Sequence, residues 1–348
     1  MNKCLVTKLH GVVNNSSLLR IGDLPIHVRK SSNSQASQYK LRVLTLKDSN
    51  AEIIGDGYFT DETMTANKGK KVSIPANTTT ILYFSNGDYD AIISNKYDIK
   101  AFSLTDDGSS RENFISIDLN DLSFSNNLEK VSLTRSKSRG TVESLKGKNV
   151  VEIYLNHTEV VGNASKSINV DSLTALCINS ENISYDLSNL SGTTNLTYVS
   201  FSNTYLQTGN LSNLAGNTRL RYIGIIGKGL KGDLSVFNSF TQLKQKEIEN
   251  FSLNITGDIG KLPDNITFLL NRNKVEFTYS KGSRTAILGC SNVKLSNIDT
   301  FLNDMANLST STGNIYKTFS LIGTRTSASD AAVQTLQSKG YTVSITPA

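Results

Sequence analysis

The chain has 348 residues, enough for more than one buried core. Its net charge is +6, spread along the length, with four prolines, no tryptophan and three widely separated cysteines, Cys4, Cys177 and Cys290. This excludes a disulfide framework and a cysteine-based zinc module, and no apolar run reaches membrane-spanning length. The opening Met-Asn-Lys-Cys-Leu-Val-Thr-Lys-Leu-His holds no long apolar stretch, so a Sec leader is not expected. The N-x-S/T triplets, Asn195-Leu196-Thr197 among them, then read as by-products of an Asn- and Thr-rich composition.

Residues 1–112 read as short strands: Cys4–Val13, Leu18–Arg29, Tyr39–Leu46, Ala51–Phe59, Lys71–Ile74, Thr79–Phe84, Asp88–Ile93 and Ile99–Leu104. Asn86-Gly87 predicts a hairpin, because both residues tolerate positive φ. Thr63–Lys70 reads as a polar loop. Together they predict an antiparallel β-sandwich or small barrel. Residues 105–127 read as a linker into a capping segment.

From residue 113 a repeat takes over. Leu196, Val199, Phe201 and Leu206 precede Gly209-Asn210-Leu211; Leu220, Ile223, Ile225 and Leu230 precede Gly232-Asp233-Leu234. Upstream come Leu128, Val131 and Leu133 with Gly140-Thr141-Val142, then Val150, Ile153, Leu155 and Val160 with Gly162-Asn163. Leu173, Leu176, Ile178 and Ile183 with Tyr185-Asp186-Leu187 follow. The first site steps 128, 150, 173, 196, 220, so one winding takes 22 to 24 residues. L-x-x-L-x-L ends in strand alternation, and a single winding cannot bury its own apolar face, so windings must stack. Leu243, Ile248 and Leu253 give a further winding, with Lys246 at an inward site. Phe268, Leu270 and Val275 give the next, with Asn265 at its first site. Ala286, Leu288 and Val293 suggest a shortened one.

The end reads as a cap. Residues 297–308 predict a helix with Ile298, Phe301, Leu302 and Met305 as its apolar stripe. Phe319 and Leu321 mark a strand. Ser327–Lys339 predicts a helix, N-capped by Ser329 and stopped by Gly340, with Ala332, Val333 and Leu336 on one face. Tyr341, Val343 and Ile345 alternate as a closing strand.

The search for chemistry finds little. His10, His27 and His157 belong to no metal or catalytic motif, and no G-x-S-x-G elbow is present. Gly227-Lys228-Gly229-Leu230-Lys231-Gly232 spells G-x-G-x-x-G, but Leu230 sits at a core site of the repeat, which speaks against a dinucleotide. Asn86, Asp88 and Asp90 mimic a calcium loop whose twelfth position is Tyr97 rather than Glu. Lys130, Arg135, Lys137, Arg139, Lys146 and Lys148 are interrupted by Glu129 and Glu143, and read as a solvated edge rather than a nucleic-acid patch. No enzyme activity, cofactor or metal is expected. What remains is the concave face. Residues between the inward strand positions are Ser132, Tyr154, Cys177, Ser200, Gly224, Glu247 and Leu269. The flanking positions supply Tyr198 and Tyr222 on one side, Asn156 and Asn179 on the other. Tyr154, Asn156, Asn179, Tyr198, Ser200, Tyr222 and Glu247 are the candidate ligand-binding residues, for a glycan or a protein surface. An ordinary solvated sheet face is the alternative, in which Cys177 is only a tolerated small residue.

Leu-x-x-Val-x-Phe-Ser-Asn-Thr-x-Leu followed by Gly-Asn-Leu-Ser-Asn-Leu (196–214) resembles the leucine-rich-repeat family, in the variants of about 23 residues found in gut Bacteroidales and their crAss-like bacteriophages. Ser-Ala-Ser-Asp-Ala-Ala-Val-Gln-Thr-Leu-Gln-Ser-Lys-Gly-Tyr-Thr-Val near the end resembles their last unit. The likeness spans about residues 114–348. It implies a parallel-sheet solenoid over residues 113–348. The family's Asn after the strand is replaced by Ser136, Thr158, Glu181, Thr204, Lys228 and Phe251, and returns at Asn273, so no continuous Asn ladder is expected. A β domain followed by such an array resembles a phage head-fibre, decoration or tail-appendage protein. That resemblance implies a virion location, a first domain docked to other virion proteins, and homo-oligomers within an assembly. A bacterial cell-surface adhesin is the other implied reading. Neither implies a membrane span or nucleic-acid binding.

Overall fold

The computed structural model describes residues 26–30, 39–54, 58–60, 66–68, 71–84, 89–93, 97–106, 115–201, 206–225, 229–244, 247–250, 254–271, 275–310 and 316–348. The strand expected at Cys4–Val13 and most of that expected at Leu18–Arg29 lie outside the described residues. In chain order the first strands are β1 (Ile26–Lys30), β2 (Tyr39–Thr45), β3 (Ser49–Ile54), β4 (Tyr58–Thr60), β5 (Ala66–Lys68), β6 (Val72–Ile74), β7 (Thr80–Phe84), β8 (Tyr89–Ile93), β9 (Ile99–Asp106) and β10 (Ile115–Ser116). Two sheets hold them. One runs β10-β1-β8-β3-β6 and is antiparallel throughout. The other orders β9-β2-β7-β4-β5, also antiparallel. Alternation sets the buried side: Leu41, Val43, Phe102 and Leu104 are at most 1% exposed, and they share one core with Ala51, Ile74 and Ile93.

Two local expectations fail here. Asn86-Gly87 itself lies outside the described residues, but the strands on either side, β7 and β8, pair in different sheets and not with each other as a hairpin requires. An Asn-Gly pair is a local signal, and it does not decide which strand each neighbour pairs with. Thr63–Lys70 is not all loop, because it contains β5, an edge strand on β4. Polar sequence is what an edge strand commonly carries.

Next come β11 (Lys130–Thr134), β12 (Glu152–Asn156), β13 (Gly162–Asn163), β14 (Ala175–Asn179), β15 (Ile183–Asp186), β16 (Tyr198–Phe201), β17 (Gln207–Asn210), β18 (Tyr222–Ile225), β19 (Gly229–Asp233), β20 (Glu247–Asn250), β21 (Asn254–Thr256) and β22 (Phe268–Asn271). β11, β12, β14, β16 and β18 pair in parallel. Val131, Ile153, Leu176, Val199 and Ile223 are successive register partners and none exceeds 1% exposure. β9 joins this ladder in parallel, pairing Phe102 with Val131, and β2 pairs Val43 with Phe102. One ten-stranded sheet therefore runs from β18 to β5. The boundary expected at residue 112 falls in residues 107–114, outside the described ones, and the inner rows pass across it without a break.

The opposite side explains the Gly-Asn/Asp-Leu triplet. β13, β15, β17, β19 and β21 form a second parallel sheet, and each leads into a short 3-10 turn. Asn163, Asp186, Asn210, Asp233 and Asp258 cap these turns, each accepting from the N–H two residues on. The following Leu187, Leu211 and Leu234 are fully buried. Gly232 has φ +139°, and a Cβ there would lie 2.7 Å from Asn210 Oδ1 and 3.0 Å from Leu211 N. The glycine lets one winding sit directly on the capped turn before it.

One spacing needs correction. Leu206, expected in the core, is 43% exposed, while Gln207 is fully buried and its Nε2 donates to Ile183 O at 2.8 Å. The first sites step by 24 (196 to 220) but the glycines by 23 (209 to 232), so the extra residue precedes 207 and pushes Leu206 out. The asparagine missing after the early strands is replaced by buried hydroxyls. Ser136 donates to Ser138 (2.8 Å) and Ser180 donates to Thr158 O (3.3 Å).

The rest of the chain forms β23 (Glu276–Phe277), β24 (Gly289–Leu295), α1 (Ile298–Ala306), β25 (Thr318–Ile322), α2 (Asp330–Ser338) and β26 (Thr342–Thr346). A parallel sheet orders β20-β22-β24-β25-β26, with β23 also on β24. Its register corrects the sequence reading by one residue. Ile266, not Asn265, is the first site, and Leu269, register partner of Ile248, points inward at 0% exposure. Phe268 and not Leu269 therefore takes the outer row. Asn265 instead donates to Leu243 O, and the bend asparagine is Asn271, which holds both the N–H and C=O of Val275. The stripe Ile298, Phe301, Leu302 and Met305 is buried as expected, and so are Ala332 and Leu336. Ser329 stands at the N-cap of α2, but its hydroxyl accepts no N–H of that helix and donates instead to Asp299 (2.6 Å) on α1. Gly340 (φ +83°) ends α2, and β26 closes the sheet in parallel with β25.

Candidate functional site: the outer face of the ten-stranded sheet

Between the buried rows, alternate residues face outward. In one outer row Tyr154, Cys177, Ser200 and Gly224 are successive partners; in the next, Glu152, Ala175, Tyr198 and Tyr222. Small residues at Ala175, Cys177 and Gly224 leave room for the rings to lean together. Tyr198 and Tyr222 stack at 4.5 Å with 8° between planes, and Tyr154 lies 6.0 Å from Tyr198 at 52°. The Lys130 ammonium sits 5.7 Å from the Tyr154 centroid and pairs with Glu152.

Cys177 is only 2% exposed. Its thiol is 3.0 Å from Asn156 Oδ1 and is hydrogen-bonded to Ser200 and Tyr198 as well. Burial pushes the thiol pKa up, and the hydrogen bonds only moderate that. Burial raises the Tyr198 phenol too, aided by Cys177 and the neighbouring tyrosines. The raised thiol and phenol therefore both stay protonated at neutral pH.

The structure thus brings Tyr154, Asn156, Asn179, Tyr198, Ser200 and Tyr222 onto one face. Asn156 and Asn179 are register partners, and Ser200 is floor, at 5% exposure. Glu247 lies on β20, which pairs in the other parallel sheet, and its side chain is outside the described residues. The winding still follows its predecessor, since Lys244 N donates to Arg221 O at 3.0 Å.

Sequence reasoning missed the neighbours of Tyr154 on β2 and β9. Arg42 pairs in register with Ser103, and Ser103 with Ser132, the partner of Tyr154. A signal was present: Ile99-x-x-Phe102-x-Leu104 has the spacing of Leu128-x-x-Val131-x-Leu133. Arg42, Leu44, Ala101, Ser103, Lys130, Ser132 and Tyr154 line a trough of about 430 Å3.

The other motifs resolve into structure. The Gly229–Gly232 part of the G-x-G-x-x-G lies in the return strand β19, and Asp233 after it caps the turn that follows, leaving no open helix terminus for a phosphate. Of the basic segment, Lys148 is buried and donates to Ser125 O (3.0 Å), and Lys137 pairs with Glu159 (3.7 Å). Among the described residues no cluster of His, Cys, Asp and Glu could hold a metal ion, and no helix is long and apolar enough to cross a membrane. Fold and face together define a mainly β protein with several parallel sheets, few helices and an aromatic ladder on one sheet face. No family profile matches the chain, and no curated protein matches it in sequence.

Proposed function

We propose that the chain is a non-enzymatic leucine-rich-repeat solenoid, headed by an antiparallel β-sandwich and closed by a helix-containing cap, that presents its sheet face to a host glycan or surface protein. The observation that carries this reading is the ring ladder of Tyr154, Tyr198 and Tyr222 on in-register strands. Rings held by a rigid sheet offer contact area at little cost in side-chain entropy. The resemblance of residues 196–214 to repeats of Bacteroidales bacteriophages supports a virion structural protein of head-fibre, decoration or tail-appendage type. In that reading the N-terminal part docks to other virion proteins. The test is mass spectrometry of purified particles together with adsorption to host cells. The protein should be a stoichiometric particle component, and Tyr154→Ala, Tyr198→Ala and Tyr222→Ala combined should reduce adsorption. Absence from particles refutes the virion role, and unchanged adsorption refutes the binding face. Deleting residues 1–112 is a poorer test, because it strips β2 and β9 from the sheet and bares Val131 and Leu133.

A further inference from the structure

Beside the tyrosines the same face sinks into the trough of about 430 Å3, within the span of small-molecule sites. Its origin is the register. Ala101, Ser103 and Ser132 are short, and their partners outward on either side are long: Leu44 and Arg42 on β2, Glu152 and Tyr154 on β12, with Lys130 beside them on β11. We propose that this trough is a subsite for one carboxylate-bearing sugar residue, a uronic acid within a glycan chain. The proposal rests on the reading of this sheet face as a binding surface and names what that surface takes.

Three observations select the occupant. First, β9 and β11, which form the floor, are paired on both sides, so their backbone groups are spent and an extended peptide cannot add as a strand. Recognition falls to side chains. Second, those side chains suit a sugar. The ring of Tyr154 is one wall, fit to pack on the C–H face of a pyranose, and the serine hydroxyls of Ser103 and Ser132 lie on the floor. Third, the charge is positive and single. Arg42 and Lys130 stand on opposite sides of β9, two strand spacings across and two residues along, so their backbones are about 12 Å apart. Arg42 and Lys130 are the charged residues of the lining and Glu152 pairs with Lys130, so the lining with its ion-pair partner carries one positive charge. One positive charge matches a carboxylate better than a phosphate monoester, which carries close to two negative charges. The planar guanidinium of Arg42 can take a carboxylate with two parallel hydrogen bonds.

The test is calorimetry on the full chain with trimers of galacturonate, glucuronate and mannuronate, a neutral galactose trimer, galactose 6-phosphate and triglutamate. At least one uronate trimer should bind ten times or more tighter than neutral galactose. Arg42→Gln, a change at an exposed position, should erase that preference with an unaltered circular dichroism spectrum. Tyr154→Ala should weaken the acidic and neutral trimers alike. Failure of all three uronates, equal binding of the neutral trimer, or an Arg42→Gln protein that keeps the preference overturns the proposal. Tighter binding of triglutamate with the same dependence on Arg42 overturns it in favour of an acidic peptide, and tighter binding of the phosphate overturns it in favour of a phosphosugar. None of these results touches the wider binding face, which stands or falls on adsorption by the triple tyrosine variant.

Discussion

Replacing Gly232 by alanine tests how the windings are joined. At φ +139° this residue occupies a region essentially reserved for glycine, and forcing an L residue there costs about 1–3 kcal/mol. The new methyl would also lie 2.7 Å from Asn210 Oδ1 and 3.0 Å from Leu211 N, so the capped turn of the preceding winding must yield. Losing such a cap costs a further 0.5–2 kcal/mol or so. The sum is about 1.5–5 kcal/mol, a large part of the stability of an ordinary domain. Two other glycines separate the contributions. Gly192 shares the positive φ (+84°), but nothing lies within 4 Å of its Cβ position, so Gly192→Ala should cost only the strain, about 1 kcal/mol. Gly216 has an ordinary φ and only Thr193 O at 3.5 Å, so Gly216→Ala should be neutral or slightly stabilising. Urea unfolding followed by circular dichroism, with hydrogen exchange to locate any local opening, reads the series. If Gly232→Ala proves no worse than Gly192→Ala, the windings do not rest on the capped turns as described.

The remaining predictions probe the core, the caps and the thiols. Leu230→Ala should destabilise by about 2–5 kcal/mol and Leu206→Ser by under about 0.5, because Gln207 occupies the inward site of that winding; equal losses would restore Leu206 to the core. The Ser188 backbone N–H, and then its hydroxyl, hold the Asp186 carboxyl below the usual carboxylate range. Its folded pKa is therefore the lower one, and the capping stability is present above the unfolded pKa near 4 and lost as pH falls through the folded value. Asp186→Asn should flatten acid unfolding in that range while keeping the cap, whereas Asp186→Ala should lose about 1 kcal/mol at neutral pH, both read from melting temperature against pH. In a Cys4→Ser background, Cys177 and Cys290 should resist a thiol reagent until the protein is unfolded, since burial raises both thiols; rapid labelling of one equivalent in the native state would contradict the burial of Cys177 under the tyrosines. Arg284→Ala should cost about 3 kcal/mol in urea unfolding, because its guanidinium satisfies the carbonyls of Leu262, Pro263, Ile266 and Ala286.

The rungs Val131, Ile153, Leu176, Val199 and Ile223 were legible because repetition averages away the weakness of any one L-x-x-L-x-L. Where a winding departs from its neighbours that averaging misleads. Leu206 matched the frame, yet an inserted residue before Gln207 moved it outside. Phe268 and Leu270 looked inward because the apolar run Phe268-Leu269-Leu270, with Ile266 before it, fits two registers differing by one, and only pairing with Ile248 chooses. Asn86-Gly87 suggested that β7 and β8 would pair, but which sheet receives each strand depends on distant partners. The candidate face was half readable. Tyr154, Tyr198 and Tyr222 follow from phase alone, whereas Arg42 joins them through a pairing between segments about sixty residues and more apart in the chain, which no local pattern encodes.

The unbroken passage of Val43, Phe102 and Val131 along one row bears on aim. A head joined to a rod by a slack tether can point anywhere, and each encounter must first find its heading. Here the leading segment and the aromatic ladder share hydrogen-bonded strands, so whatever grips the former also fixes the compass bearing of the latter. In the virion role proposed above, many copies on one particle would then all look the same way, turning weak single contacts into a directional, multivalent grip.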